Sequence, residues 1–251
     1  MLGGKASGYL AVGGSEGFGQ GADDAWLLRL DENGEHMWSV VHGGPADDDP
    51  TAFVQLNDGG FLVAGVTFGY TAVKSDAFLM RTDNNGKVLW FRLYGSIGKD
   101  EPVAIEAMGS GFLVSGTTTG QNAGHEDGFA LRVDGDGNTK WLRTYGGAGN
   151  DAVQGMMLDQ GGGFVLTGRT SSSGQGGADA WWVKGGGGDG ASGCAGGLVN
   201  PPWQASKSMT PTTLAFTPVL LAPSLSPSFK SITSEVAAGA KSGTVCPCVI
   251  P

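Results

Sequence analysis

One octapeptide returns at a fixed interval: Asp-Ala-Trp-Leu-Leu-Arg-Leu-Asp at residues 24–31, Asp-Ala-Phe-Leu-Met-Arg-Thr-Asp at 76–83 and Asp-Gly-Phe-Ala-Leu-Arg-Val-Asp at 127–134. The interval is 52 residues and then 51, and a fourth copy begins with Asp-Ala-Trp-Trp at Asp179. A period of roughly 50 residues is typical of repeat architectures, in which each unit packs against its neighbours. The repeat therefore sets the expected fold.

Each unit contains four short apolar segments separated by turns. The octapeptide is the first segment, and an Asp-x-x-Gly turn leads to a second segment that contains Trp38, Trp90 or Trp141. A weaker third segment follows, and a glycine turn opens an apolar fourth one. A four-stranded antiparallel meander of this length is typical of one propeller blade. We therefore predict an all-β, β-propeller-like array of four-stranded antiparallel blades with a period of 51–52 residues.

The strand count leaves an incomplete ring. A strand equivalent to the fourth segment begins the pattern at Tyr9, and three full units follow. A strand equivalent to the first segment ends the pattern at Lys184, and four glycines come directly after it. The predicted repeat domain covers residues 1–190, a Gly/Pro/Ser-rich linker covers 191–212, and a small β-rich C-terminal appendage covers 213–251. Because the chain begins inside a repeat, we expect a fragment or a processed form of a longer precursor.

Aromatic residues keep the period and are interpreted as packing between sheets. They are Trp26, Phe78, Phe129 and Trp181 in the first segment, and Trp38, Trp90 and Trp141 in the second. The aspartate that opens each octapeptide stands five residues before a basic residue, as Asp76 does before Arg81. Since this spacing recurs in every unit, we expect a structural ion pair or hydrogen-bond network between strands or blades and no catalytic role.

Composition excludes several classes of partner. The formal net charge of −9 argues against nucleic-acid binding, which requires a basic surface. No apolar run is long enough for a membrane span. The three histidines, His36, His42 and His125, show no metal-like spacing, and no nucleophile–base set or phosphate-binding loop is present. We therefore predict no catalytic residues and no cofactor.

Two acidic stretches are candidates for a structural calcium ion. Asp134 and Asp136 resemble half of a calcium loop, but a tyrosine occupies the twelfth position, so a turn is the favoured interpretation. Asp47, Asp48 and Asp49 form the densest acidic cluster. This cluster occurs in one unit alone, so a solvated loop is favoured there as well.

The quoted octapeptide, the following Gly-Gly, and Gly-Gly-Phe-Leu-Val-Ala-Gly at residues 59–65 resemble secreted bacterial and archaeal β-propeller repeats of the SBBP type. The resemblance covers residues 8–184 and implies an extracellular or cell-surface, repeat-built protein with no named activity. It also implies a bridge between Cys194 and Cys246. The spacing of the three cysteines alone allows Cys194 to pair with Cys246 or Cys248, or all three to be free thiols.

Three functions follow as hypotheses, in decreasing order of support. The first is a non-enzymatic extracellular structural protein that self-associates, as a filament or an oligomer, through unpaired blade strands and the C-terminal tail. The second is an extracellular module that binds a surface polysaccharide or a protein through loops at one end of the blades. The third is a propeller-type polysaccharide hydrolase or lyase.

Overall fold

A computed structural model describes residues 7–19, 22–68, 75–95, 98–122, 125–172, 174, 176–190, 192–196, 212–213 and 219–220. These residues form strands and turns without a helix, so the predicted all-β class is confirmed. By compactness the chain divides into residues 1–221 and residues 222–251, and the second unit lies outside the described residues. Most of the predicted appendage at 213–251 therefore also lies outside them.

Fifteen strands form four antiparallel sheets in chain order. The first sheet contains β1 (Tyr9–Ser15), β2 (Asp24–Leu30) and β3 (His36–His42). The second contains β4 (Asp48–Gln55), β5 (Phe61–Thr67), β6 (Asp76–Thr82) and β7 (Val88–Tyr94). The third contains β8 (Asp100–Met108), β9 (Gly111–Asn122), β10 (His125–Asp134) and β11 (Thr139–Tyr145). The fourth contains β12 (Asp151–Leu158), β13 (Phe164–Thr170), β14 (Asp179–Gly185) and β15 (Ser192–Gly196).

Two short strands from the tail extend the outer edges of the first two sheets. Strand β16 (Thr212–Thr213) pairs with β7, and β17 (Val219–Leu220) pairs with β3. The first sheet thus has the order β1-β2-β3-β17, and the second has the order β16-β7-β6-β5-β4.

The fourth sheet corrects the strand count made from the sequence. Strand β14 was expected to be a lone flanking strand before a glycine collapse. In the structure it is an interior strand that pairs with β13 on one side and with β15 on the other. The intervening turn is held by a hydrogen bond that the Gly190 amide donates to the Gly186 carbonyl. The glycine-rich stretch is therefore a hairpin connection.

The predicted Asp-x-x-Gly hairpins are confirmed. Asp31 Oδ1 accepts hydrogen bonds from the amides of Asn33 and Glu35, both at 2.8 Å. Gly34 has a φ of 83° at the end of this turn, and the two equivalent turns have the same arrangement. A φ in this left-handed region favours glycine because the residue has no Cβ.

Three apolar cores lie between successive sheets. Leu27 and Val40 of the first sheet pack with Phe78 and Met80 of the second. Leu62, Ala64, Ala77 and Leu79 of the second pack with Val114, Phe129 and Leu131 of the third. Leu113 and Ala130 of the third pack with Phe164, Leu166 and Trp181 of the fourth. Neighbouring residues of one strand therefore pack against different sheets, since strand side chains alternate.

Strands β4, β8 and β12 join each sheet to the one before it. Each lies at an edge of its own sheet, and each contacts strands of the preceding sheet: β4 contacts β1 and β2, β8 contacts β4, β5 and β6, and β12 contacts β8, β9 and β10. We call β4, β8 and β12 the junction strands. They correspond to the weak third segment of the sequence repeat, so each sheet begins at that segment and not at the octapeptide.

Candidate functional site

Buried aspartates mark one end of every sheet junction. Asp24, Asp76 and Asp127 are between 0% and 3% exposed, and each lies against a glycine nineteen residues further on. A Cβ built on Gly95 would lie 1.8 Å from Asp76 Oδ1, which is far inside van der Waals contact. The repeated glycine is thus required for space, and the aspartate is part of the scaffold.

A second series of buried aspartates begins the junction strands. Asp100 lies opposite Thr118 in the strand register, and the Thr118 hydroxyl donates a 2.6 Å hydrogen bond to Asp100 Oδ1. Asp151 and Thr170 form the same pair in the fourth sheet. These carboxylates fix the start of each junction strand, so they are also structural.

Asp48 begins the junction strand β4 and also belongs to the predicted acidic cluster of Asp47, Asp48 and Asp49. It is 2% exposed, and its Oδ2 accepts a 2.7 Å hydrogen bond from the Gly44 amide. The pKa of Asp48 is raised to about 6, because burial, with smaller contributions from the charges of Asp24 and Asp49, outweighs the hydrogen bonds from Thr67 and Gly44. The group is therefore protonated more readily than an exposed aspartate.

The rest of that cluster is spread over the loop before β4. Asp47 Oδ1 accepts a 3.3 Å hydrogen bond from the Asp23 amide, and the half-buried Asp49 has a raised pKa, first because of burial and then because of Asp23 and Asp47. In the described parts of the chain, no group of three or more His, Cys, Asp or Glu side chains is placed to hold a metal ion.

The other calcium candidate is a hairpin turn. Asp134 Oδ1 accepts hydrogen bonds from the amides of Asp136 and Asn138, at 3.0 and 2.8 Å. The Asp136 side chain is exposed, and Lys140 lies 3.4 Å from Asp134 Oδ2. Burial is the largest single effect on the pKa of Asp134 and raises it, but the hydrogen bonds from Asn138, the Asp136 amide and Lys140 together outweigh burial, so the pKa is lowered. These contacts account for Asp134 as a turn residue.

Asp76 and Arg81 of one repeat do not pair with each other. Asp76 and Arg81 lie five residues apart on β6, so they are about 17 Å apart along the strand and on opposite faces. Arg81 instead hydrogen-bonds to the Phe61 and Thr82 carbonyls and pairs with Asp58 in the turn before β5. Arg81 thus belongs to a hydrogen-bond network between strands, one of the two expected alternatives, and its carboxylate partner is Asp58 in place of Asp76.

Sheets are also joined by a repeated hydrogen bond that the sequence interpretation missed. The Tyr94 hydroxyl donates to the Gly137 carbonyl at 2.5 Å, and the Tyr145 hydroxyl donates to the Gly190 carbonyl at 2.6 Å. In each case a tyrosine at the end of one sheet reaches a turn of the next. Burial raises the pKa of both tyrosines above its usual value. The signal was present as a tyrosine at the same place in two units.

His42 occupies the position of these tyrosines in the first sheet. Its Nε2 lies 2.8 Å from the Gly86 carbonyl oxygen, a contact that requires the proton to be on Nε2. Burial lowers the pKa of His42, and the bond to Gly86 opposes this effect. The histidine is therefore part of the sheet junction and not of a catalytic set.

The periodic aromatic residues lie at the sheet junctions. Phe78, Phe129 and Trp181 are between 1% and 4% exposed, and each packs against the preceding sheet. Trp38 packs edge-on against Phe61 of the second sheet at 6.1 Å, and Trp141 stacks on Phe164 of the fourth at 6.0 Å. Trp90 packs against the core between the second and third sheets.

Trp26 differs from its equivalents. It is half-buried, and its indole Nε1 donates a 2.6 Å hydrogen bond to the Ser39 hydroxyl. It lies on the face of the first sheet that no other sheet covers among the described residues. This face and the outward face of the fourth sheet are the two ends of the array.

The predicted disulfide cannot be placed. Cys194 lies on β15, where its backbone pairs with Lys184 of β14. Cys246 lies outside the described residues. The pairing of Cys194 with Cys246 therefore stays a prediction.

The described residues contain no helix with the length and apolar character needed to cross a bilayer. No protein-family model matches the chain, and no curated protein matches it in sequence. The resemblance to SBBP-type repeats consequently stays a prediction. The arrangement of the sheets and their uncovered ends are the basis for the proposals below.

Proposed function

We propose that the chain is a non-enzymatic, extracellular structural protein whose sheets form a propeller-like array and whose copies associate with one another. The propeller-like arrangement is supported by the junction strands, because β4, β8 and β12 each occupy the same edge of their sheet and contact one another in succession. It is also supported by the repeated cores, in which every interior sheet packs on both faces.

The observation that carries self-association is the incomplete first sheet. The second, third and fourth sheets each have a junction strand, but no described strand pairs with the outer edge of β1. The edge of a strand presents unpaired amide and carbonyl groups that bind another strand readily. In the other three sheets a threonine lies opposite the aspartate that begins the junction strand: Thr67, Thr118 and Thr170. Ser15 is the equivalent residue of β1. A segment of another copy would complete this sheet.

A structural role also agrees with the polar groups inside the repeat. The buried aspartates, tyrosines and arginines are engaged in turns, strand starts and sheet junctions, and they recur in each unit. Catalytic groups would be expected to converge at one position and to have pKa values that suit proton transfer. Asp48 has a pKa raised to about 6, but it is only 2% exposed and lies beside a backbone amide.

The test is the state of association of the full chain. Light scattering coupled to size-exclusion chromatography, followed by negative-stain imaging, should show oligomers or filaments whose mass increases with protein concentration. Hydrogen exchange on the same samples should show slower exchange of the β1 amides as association proceeds. Compact monomers at all concentrations would contradict the proposal.

A second candidate function is the binding of a surface polysaccharide. It is favoured by two exposed aromatic rings: Phe18 is 45% exposed and Phe68 is 48% exposed. The Phe68 amide donates to the Asp47 carbonyl, so this ring lies beside the acidic loop. Exposed aromatic rings with nearby carboxylates suit the apolar faces and hydroxyl groups of sugars. A glycan array comparing the wild type with a Phe18→Ala/Phe68→Ala variant tests this function, and equal signals would exclude these rings.

A further inference from the structure

We propose that the outward face of the fourth sheet of one copy packs against the outward face of the first sheet of a second copy, joining copies head to tail. This inference rests on the proposed self-association and adds a contact between sheet faces to the strand pairing proposed at the edge of β1. It is argued from the three sheet junctions within the chain, because the two end faces carry the same positions of the repeat as those junctions do.

The junction between the second and third sheets supplies the pattern. There, Ala77 of β6 lies in one core with Val114 and Phe129 of the third sheet. In the repeat, Ala180 of the fourth sheet corresponds to Ala77. On the first sheet, Ala11 corresponds to Val114 and Trp26 corresponds to Phe129. Extension of the array by one more junction would therefore bring Ala180 to the first-sheet face of a second copy.

The fourth sheet shows that its outward face is uncovered. Along β14, Trp181 and Val183 are buried against the third sheet, whereas Ala180 on the other face is exposed. Along β13, Thr167 is exposed, although its counterpart Ser115 in the third sheet is fully buried. The same positions therefore change from buried to exposed where the described array ends.

The first sheet shows the complementary change. Ala11 is exposed and Tyr9 is 62% exposed, whereas their counterparts in the third sheet, Val114 and Phe112, are 1% and 6% exposed. Trp26 is half-buried where the three equivalent aromatic residues are buried. Elsewhere this face is already closed, because Val41 and Leu28, the cross-strand neighbours of Trp26 and Ala11, are 1% and 6% exposed. The available area thus lies over β1 and the start of β2.

A second copy is the occupant that these observations favour. Both end faces are exposed in the same chain, so they do not cover each other. The occupant must also be apolar and carry the spacing of the repeat, which the opposite end of this chain does. Contacts between two different faces are heterologous, so they form an open filament or a ring that closes after several copies.

The experiment uses a pair of charge variants of the full chain, Ala180→Arg and Ala11→Glu. Each places an unpaired charge at the proposed contact and should weaken association roughly 100-fold or more. In an equimolar mixture, each arginine face can meet a glutamate face, and the two wild-type faces can still meet each other. The mixture should therefore recover assemblies of the wild-type size.

The control is Leu89→Arg, which adds the same charge at a 56% exposed residue of β7, away from both end faces. It should associate as the wild type does, and far-ultraviolet circular dichroism should show the same fold for all variants. If the wild type associates but the two charge variants do so equally well, this interface is wrong while self-association stands. If both variants are impaired and the mixture is not restored, the pairing of these faces is wrong. A monomeric wild type refutes the proposed function together with the interface.

Discussion

The repeated glycine beside each buried aspartate provides the sharpest test of the scaffold. We consider Gly95→Ala, because Gly95 lies directly after Tyr94 at the junction of the second and third sheets. Its backbone φ is not in the left-handed region, so alanine introduces no conformational strain there. The effect of the substitution is therefore the steric effect of one methyl group on the carboxylate of Asp76.

The size of the effect follows from the contact distances. The new Cβ would lie 1.8 Å from Asp76 Oδ1 and 2.5 Å from its Cγ, whereas ordinary contacts begin at 3.4 Å. The carboxylate must move by more than 1 Å, and Asp76 is only 3% exposed, so little free space is available. Overpacking of a filled site costs about 1–3 kcal/mol, and the required movement places Gly95→Ala near the upper limit. The melting temperature should fall by roughly 5–10 °C in a domain of this size.

The assay is thermal and urea unfolding of four chains: the wild type, Gly95→Ala, Asp76→Ala and the double variant. Removal of the carboxylate should relieve the clash, so we expect a coupling free energy of about 2 kcal/mol in this cycle. Gly188→Ala is the matched control, because a Cβ at Gly188 meets no atom within 4 Å. An unchanged melting temperature for Gly95→Ala, or additive effects in the double variant, would refute the steric explanation.

Three further outcomes are expected. Tyr145→Phe should lower the free energy of unfolding by about 1–2 kcal/mol in urea titrations, because it leaves the buried Gly190 carbonyl of the next sheet unpaired. The same change at the exposed Tyr9 should have no measurable effect. The pKa of Asp48 is about 6 in the folded state, above the ordinary aspartate value of 3.8, so the protonated group stabilises the fold below about pH 4. This contribution is lost as the pH rises through about 6. The melting temperature of Asp48→Asn should therefore fall less than that of the wild type between about pH 4 and pH 6. Arg81→Met should cost about 2 kcal/mol in calorimetry, but Asp58→Ala should cost less than about 1 kcal/mol, because backbone carbonyls also hold the arginine and Asp58 is 64% exposed.

The local structure of the repeat could be predicted from the sequence, but the boundary between sheets could not. Alternating apolar segments and Asp-x-x-Gly turns identify the strands and hairpins because both signals are local. A periodic sequence does not state where its unit begins. That boundary depends on which strands pair, and the loop before Asp48 starts a new sheet where the strand pattern alone suggested a continuing one.

For the polar residues, too, local contacts could be predicted from the sequence and contacts that depend on strand pairing could not. The turn function of Asp134 could be read from the spacing of the neighbouring glycine. The partner of Arg81 lies 23 residues away, so it depends on the pairing of β5 with β6 and on the course of the turn before β5. The five-residue spacing excludes a direct pair between Asp76 and Arg81 of one strand, because residues an odd number apart on a strand lie on opposite faces.

The two tryptophans at the same repeat position show how the ends of the array differ from its interior. Trp181 is 4% exposed in the core between the third and fourth sheets, whereas Trp26 is half-buried on the end face of the first sheet. Trp181→Ala should therefore cost about 3–5 kcal/mol of folding free energy, and Trp26→Ala should cost less than half as much in dilute protein.

For association between copies we expect the opposite order, with Trp26→Ala having a larger effect than Trp181→Ala. If a second copy covers the exposed part of the first sheet, Trp26→Ala removes a large apolar contact from that interface and should weaken association by at least tenfold. A Trp26→Phe variant retains an aromatic ring but loses the hydrogen bond to Ser39, so it should associate nearly as well as the wild type. Equal destabilisation by the two alanine substitutions in the monomer would mean that the Trp26 face is already covered within one chain, and that the array does not end there.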